Sequence, residues 1–342
     1  MSETQNLPAV AQNNAIQAFT FGDPEPVLNT HDYMSMFQVY WNGTYYEPPV
    51  SLEGLAKSFR STPYLSTAII YKRNQLVSAF KPNKLMSSKA FEQLVMDFLV
   101  FGMGYVEAIK SRSNQVVQVT TPLAKYMRRK QDPKEFLMIT ENWKYHHFER
   151  DSVFQVRECD INQEVYGTPE YLAALQSAWL NESATLFRRK YYNNGSHAGF
   201  ILYLTDPQQN EEDVNNLRQA LKDSKGPGNF RNLFLYSPSG KPDGIKLIPV
   251  SEVAAKDEFA HIKSITRDDI LAAMRTPPQL LGIIPNNTGG FGSITEAEQV
   301  HWNSEIIPLQ HRIADQVNEW AGQKLITFKS YAEVRGKLLN EK

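Results

Sequence analysis

Five groups of residues have types and spacings that chemistry could use. His146-His147 is the only adjacent histidine pair. Two imidazoles bind one transition metal when both rings share a face. Neighbours in a strand point to opposite faces, so this pair is not expected to share an ion. Cys159 is the single cysteine. Without a companion thiol it excludes a disulfide framework within the chain and suits a reducing compartment. It reads as a bystander at a strand end. Asp268-Asp269 offers paired carboxylates for acid–base work. Among the alternating charges Lys256, Asp257, Glu258, Lys263 and Arg267, it reads as a solvated or intersubunit face. "FGMGYVEA" has two glycines at dinucleotide spacing but lacks the third, and it follows a helix rather than a strand. Arg188, Arg189 and Lys190 form a run of three cations. The sequence contains no P-loop, HExxH, cysteine pair or Gly-x-Ser-x-Gly. No catalytic residue or metal ligand is assigned, no cofactor is expected, and the chain is not expected to be an enzyme.

The elements that position these residues follow from periodicity and punctuation. Residues 18–60 read as short strand-like runs broken by prolines, with Asn42-Gly43 as a hairpin signal. Leu65, Ile69, Leu76 and Phe80 recur at helical spacing. A second helix has Ser87 or Ser88 as cap, a broad apolar face from Phe91 to Phe101, and Gly102 and Gly104 as its end. Strands are expected at 105–109, 116–120, 136–140 and 153–156. Together these make an α+β unit.

Two long helices follow. The first is expected over 169–192, with Thr168-Pro169 as its start and Asn193-Asn194-Gly195 as its end. The second is expected over 252–275, capped by Ser251 and stopped by Pro277-Pro278. Each has about 24 residues and is roughly 36 Å long. They bracket an insert, 195–251, that reads βαββ. It is too small to bury much apolar area alone, so it is expected to complete itself against another subunit. Residues 276–295 carry no charge, and the part from Asn286 to Gly292 includes three glycines. A third long helix begins with a Ser293/Glu296 capping box and is expected to kink at Pro308. A short strand, "LITFKSY", and a charged tail close the chain.

Composition narrows the function. Lys and Arg number 36 and Asp and Glu 37, for a net charge of -1. Dedicated nucleic-acid binders carry a basic excess, so any polyanion must be met locally or weakly. No apolar run approaches the ~20 residues of a membrane span, and none is expected. The first 17 residues are polar, lack the pattern of a secretion signal, and are expected to be a disordered tail.

"DINQEVYGTPEYLAALQSAWLNESATLFRRKYYNNGSHAGFILYLTD" resembles the portal proteins of tailed bacteriophages, in the P2/PBSX-like branch. "AFTFGDPEPVL", "FEQLVMDFLVFGMGYVE" and "NLFLYSPSGKPDGIKLIPVSEVAAKDEF" match as well. The resemblance covers roughly residues 18–330. It implies a ring-forming phage portal fold: an α+β wing over 18–168, stem helices over 169–194 and 252–275, a clip over 195–251, a tunnel loop over 276–293, and a kinked wing helix with a short crown-like tail over 294–342. It also implies a dodecamer at one capsid vertex of the virion, assembled in the host cytoplasm. DNA passes through the ring in packaging and ejection. Implied partners are double-stranded DNA without sequence preference, the terminase large subunit, major capsid and scaffolding proteins, and a head-completion or neck protein. A ring-forming head-tail adaptor that translocates no DNA is the alternative.

Three residue groups take roles from this resemblance. In the tunnel loop, Asn286, Asn287, Thr288, Gly289, Gly290 and Phe291 offer hydrogen bonds and a steric edge without a salt-bridge ratchet, or are simply a flexible stretch that lacks charge. Arg188, Arg189 and Lys190 complement the helix dipole. They form either intersubunit ion pairs with a neighbour's Glu252, Asp257 or Glu258, or a basic ring near the channel exit. In the clip, Lys222, Lys225, Arg231, Lys241 and Lys246 are solvated charges or a surface that steers terminase.

Overall fold

The computed structural model describes residues 39–140, 144–193, 200–204, 245–249, 255–283 and 293–340. Strands β1 (Tyr40–Trp41) and β2 (Tyr46–Glu47) form the expected hairpin. Gly43 takes φ 94°, and Asn42 Oδ1 accepts from the Thr44 and Tyr45 amides. A helix then appears where strand-like runs were expected. In α1 (Leu52–Ser58), Ser51 accepts from the Gly54 amide, and Leu52 and Leu55 are buried. Two apolar contacts in seven residues give too little periodicity to read. Residues 18–38, like the tail before them, lie outside the described residues.

Helix α2 (Pro63–Ala79) starts on Thr62, whose hydroxyl accepts from the Leu65 amide, with proline in the first turn. Helix α3 (Ser88–Phe101) is capped by Ser87 and ends on Gly102 at φ 71°. The two helices pack together through Phe80 and Phe91, stacked at 4.1 Å, and Phe328 closes edge-on against Phe91 at 5.6 Å. Helix α3 also packs on β3 (Met103–Lys110), the centre of an antiparallel sheet with β4 (Val116–Thr120) on one side and β8 (Val153–Arg157) on the other. Gly104 belongs to β3 rather than to the helix end. A second antiparallel sheet, β5 (Met127–Arg129), β6 (Phe136–Ile139) and β7 (Tyr145–His147), has two strands that the sequence did not reveal. His146 and His147 are exposed on β7. The unit is α+β.

One buried carboxylate in this unit titrates in an unusual range. Asp97 on α3 is 4% exposed and accepts from Gln93 Nε2 at 2.9 Å and the Ala124 amide at 2.8 Å. Burial pushes its carboxyl up to about 7, with the two hydrogen bonds pulling back. The folded chain therefore holds this proton more tightly than the unfolded chain between about pH 4 and 7. Stability from this group is fullest at low pH and falls as pH rises through that window. Asp97→Asn keeps an acceptor for Ala124 and lets Gln93 flip. It is expected to be more stable than wild type at pH 8, by on the order of 2–4 kcal/mol, and the gap should close towards pH 4. Thermal melts across pH check this.

Helix α4 (Leu175–Asn193) is preceded by a 3-10 stretch, Glu170–Ala174. Here the expected start is corrected. Pro169 is extended (ψ 142°) and flanks the 3-10 stretch instead of occupying the first turn, and the Thr168 hydroxyl bonds Asp160 rather than capping. Strands β9 (Phe200–Leu204) and β10 (Ile245–Pro249) pair antiparallel; the rest of the insert lies outside the described residues, as does Ser251. Helix α5 (Ala255–Ala273) runs antiparallel to α4. Ser177 donates to Asp269 at 2.9 Å, and Asn181 Nδ2 donates to Thr266 Oγ1 at 2.7 Å. The helix stops at Ala273, and Arg275 leaves with φ 49°.

Helix α6 (Ile294–His301) is capped by Ser293, which accepts from the Glu296 amide at 3.2 Å. A π-turn, Trp302–Ile306, joins it to α7 (Ile307–Ala321). The expected kink at Pro308 is thus resolved upstream. Pro308 has no N–H for a helical bond and sits in the first turn of α7. The Ile307 amide reaches back five residues to Trp302. Helix α7 covers the edge of β8. Gln316 Oε1 accepts from the Arg157 amide and Nε2 donates to its carbonyl, both at 3.2 Å, and Trp320 stacks on Phe154. The expected last strand is a single bridge, Phe80 to Phe328, and the charged tail begins as α8 (Tyr331–Asn340). Among the described residues, no helix is long and apolar enough to cross a membrane.

Candidate functional site

The structure brings together charges that the sequence keeps far apart. Lys72 lies on the apolar stripe of α2, between Ile69 and Leu76, and its side chain is fully buried. Its Nζ reaches Glu305 Oε1 at 2.5 Å and Glu170 Oε2 at 3.6 Å. Arg275, just past α5, places Nε 2.7 Å from Glu305 Oε2 and Nη2 3.2 Å from Glu305 Oε1, and it also pairs with Glu170. Arg312 on α7 donates through Nη1 to Glu158 at 2.6 Å and to Glu170 at 2.9 Å. Three cations, Lys72, Arg275 and Arg312, face three carboxylates, Glu158, Glu170 and Glu305. The node joins α2, the end of β8, the 3-10 entry of α4, the exit of α5, the π-turn and α7.

Each group's basicity follows from this surround. Burial pulls Lys72 down, and Glu305 and Glu170 offset only part of it. Burial pushes Glu305 up, but Arg275 and Lys72 outweigh it and hold the carboxyl low. Glu170 behaves alike, with Lys72, Arg275 and Arg312 as its partners. His301 lies beside the node, 5.7 Å from the Tyr71 ring. Burial pulls its imidazole down to about 4, with Lys72 adding and Glu305 opposing. It stays neutral in the folded chain, so its contribution is lost as pH falls from 6.5 towards 4, opposite in sign to that of Asp97.

The expected site residues are placed unevenly. Asn286, Asn287, Thr288, Gly289, Gly290 and Phe291 lie outside the described residues, as do Lys222, Lys225, Arg231, Lys241 and Glu252. Lys246 is opposite Tyr203 in the β9–β10 pair. Arg188 and Arg189 are exposed near the end of α4, and Lys190 is on the same helix. Burial lowers the Lys263 ammonium on α5, and the like charge of Arg188 on α4 lowers it further. Asp268 is exposed beside Arg267 at 2.8 Å, Cys159 is exposed, and Trp302 is buried. Among the described residues, no group of three or more His, Cys, Asp or Glu side chains could hold a metal.

Sequence reasoning missed the node. Its one readable trace is Lys72, a cation at the helical spacing of Leu65, Ile69 and Leu76, where burial of an unpaired charge would be prohibitive.

The sequence matches the family described as phage portal protein over residues 65–338. The chain belongs to this family. It is 48% identical over 322 residues to the probable portal protein of Escherichia phage P2, covering 94% of this chain and 93% of that protein. Its fold is similar to a chain from the neck of a native gene transfer agent particle computed with C12 symmetry. That match has a TM-score of 0.59 at 17% identity and covers 85% of this chain and 88% of the other. The crystal structure of an HK97-family phage portal protein from Corynebacterium diphtheriae matches with a TM-score of 0.54 at 12% identity, over 83% of this chain and 96% of that one. The chain is a portal protein of α+β fold.

Proposed function

We propose that twelve copies of this chain form a ring at one capsid vertex, the passage for double-stranded DNA in packaging and ejection. The observation that carries this reading is the 48% identity with the phage P2 portal across nearly the full length of both chains. In this reading 18–168 is the wing, α4 and α5 the stem, 195–251 the clip and 276–293 the tunnel loop. The clip, with Lys222, Lys225, Arg231, Lys241 and Lys246, takes the terminase large subunit and later a neck protein. The wing meets the capsid and scaffolding proteins. A net charge of -1 suits a conduit for a polyanion that must keep moving, because each fixed phosphate contact has to be broken at every step.

The stem supplies two unlike faces, which a ring requires of head-to-tail contacts. On α4, Gln176, Leu180, Ser183 and Leu186 form an exposed stripe without charge. On α5, His261, Ile265, Asp268 and Ala272 line an open groove that ends at Pro277. We place Leu180 of one copy in the groove of the next, with Arg188 and Arg189 towards that neighbour's acidic residues or the channel. Negative-stain images and native mass measurement test this. Wild type is expected as rings of twelve 39.0-kDa chains with a central hole. Leu180→Asp is expected to lose at least tenfold in ring yield, since it sets a charge at the interface core. Rings of Leu180→Asp at wild-type yield would overturn the interface. A wild-type chain that stays monomeric at high concentration would overturn the portal reading.

A further inference from the structure

We propose that the buried charge node is the positioning device of the portal, fixing the angle between the stem and the wing; this rests on the portal reading above. Its members sit at both roots of the stem. Glu170 occupies the turn that enters α4, and Arg275 lies two residues beyond the end of α5. Their partners belong to the body of the wing: Lys72 on α2, Glu158 after β8, Glu305 in the π-turn and Arg312 on α7.

Two local distortions converge on the node. Arg275 takes a left-handed backbone that suits glycine, not arginine, and its fork then meets Glu305. Glu305 sits in the π-turn. Buried ion clusters contribute little net stability, because desolvation cancels most of the attraction. What they supply is direction. A guanidinium fork bound to a carboxylate fixes an angle, whereas an apolar contact tolerates sliding. A stem that DNA pulls along the channel axis needs a fixed angle at its root. These residues are positioning residues and touch no DNA themselves.

The deciding variant is the double Lys72→Met, Glu305→Gln. It leaves Arg275 and Arg312 against Glu158 and Glu170, so charge stays balanced and bulk is kept. Rings are expected to form with a melting temperature within roughly 5 °C of wild type. Amide exchange at 276–283 and 293–301 is expected to rise about tenfold. Particles assembled with the variant are expected to retain at least tenfold less DNA. Arg275→Lys keeps the charge and loses the fork, and it is expected to move both readouts the same way; it decides alone if the double variant does not fold. Intact rings with wild-type exchange and wild-type DNA retention overturn the proposal and leave the portal reading standing. If the wild-type chain forms no rings, the portal reading falls, and exchange in that chain still reports on the node.

Discussion

Gly167→Ala is expected to leave little folded protein. A Cβ there would stand 2.0 Å from the Gly102 carbonyl oxygen, 2.8 Å from its carbon and 3.0 Å from the Glu158 amide nitrogen. All three are backbone atoms and cannot swing aside. The Gly102 oxygen is also committed, accepting from the Glu158 amide at 2.7 Å. Gly102 is blocked from the other side: its Cβ would lie 2.1 Å from Thr168 C, and its φ of 71° already disfavours a side chain. The end of α3 and the entry to α4 thus touch backbone to backbone. Separating them would break the Glu158 bond and displace Glu170 from the node. The cost is on the order of 4 kcal/mol or more, comparable to the worst overpacking changes. Soluble yield and a thermal melt measure it; a melt within a degree or two of wild type would refute the close approach. Gly102, the first glycine of "FGMGYVEA", has its explanation here, while a Cβ on Gly104, the second, would meet Leu94 Cδ1 at 2.7 Å and the Leu94 carbonyl oxygen at 3.0 Å.

Glu170→Ala is expected to cost about 3–5 kcal/mol, the range for removing one member of a buried charge group. Its carboxylate serves Lys72, Arg275 and Arg312 together. Without it, three cations share two carboxylates, and Lys72, already held low by burial, is driven towards neutrality. The exposed pair Lys134–Asp151 makes the control. Both side chains are about half exposed, and Lys134→Ala at that pair is expected to stay within roughly 0.5–1 kcal/mol. Denaturant midpoints of the two variants, measured side by side, separate node from surface. Equal midpoints would count against the node's charges being interdependent.

What the sequence revealed was local. Ser87 and Gly102 bracket α3 because a hydroxyl cap and a left-handed exit are chemical requirements of a helix end. Asn42-Gly43 marked its hairpin for the same kind of reason. The two long helices were visible as paired stretches, although their ends shifted: Thr168 turned to Asp160, and Arg275 took the exit that Pro277-Pro278 had suggested for the helix itself. Short elements such as α1 and β5 escaped because two or three side chains carry no period. The stretch after Tyr331 read only as a charged tail, with no helix assigned, yet Trp302 packs on Tyr331 at 5.3 Å and Arg335 pairs with Glu298, contacts that hold α8 and depend on distant residues. The node was illegible for the same reason. Lys72 and Glu305 are 233 positions apart, and nothing near either one announces the other. The tunnel-loop and clip assignments came from family resemblance, not from residue chemistry.

The π-turn between α6 and α7 sets a rule for length variation. It holds one more residue than an α-helical turn would, and that surplus keeps His301 and Trp302 on the same buried face as Leu309, Ile313 and Val317 farther along. Deleting any residue from 302–306 would restore regular winding and swing everything upstream by about 100° while drawing it in by about 1.5 Å. A deletion after Ala321 would swing nothing upstream of it. Related chains should therefore keep an unbroken count through the middle of this helix and lose residues freely only past the α8 contacts of Tyr331 and Arg335, like a screw whose thread tolerates trimming only at the tip.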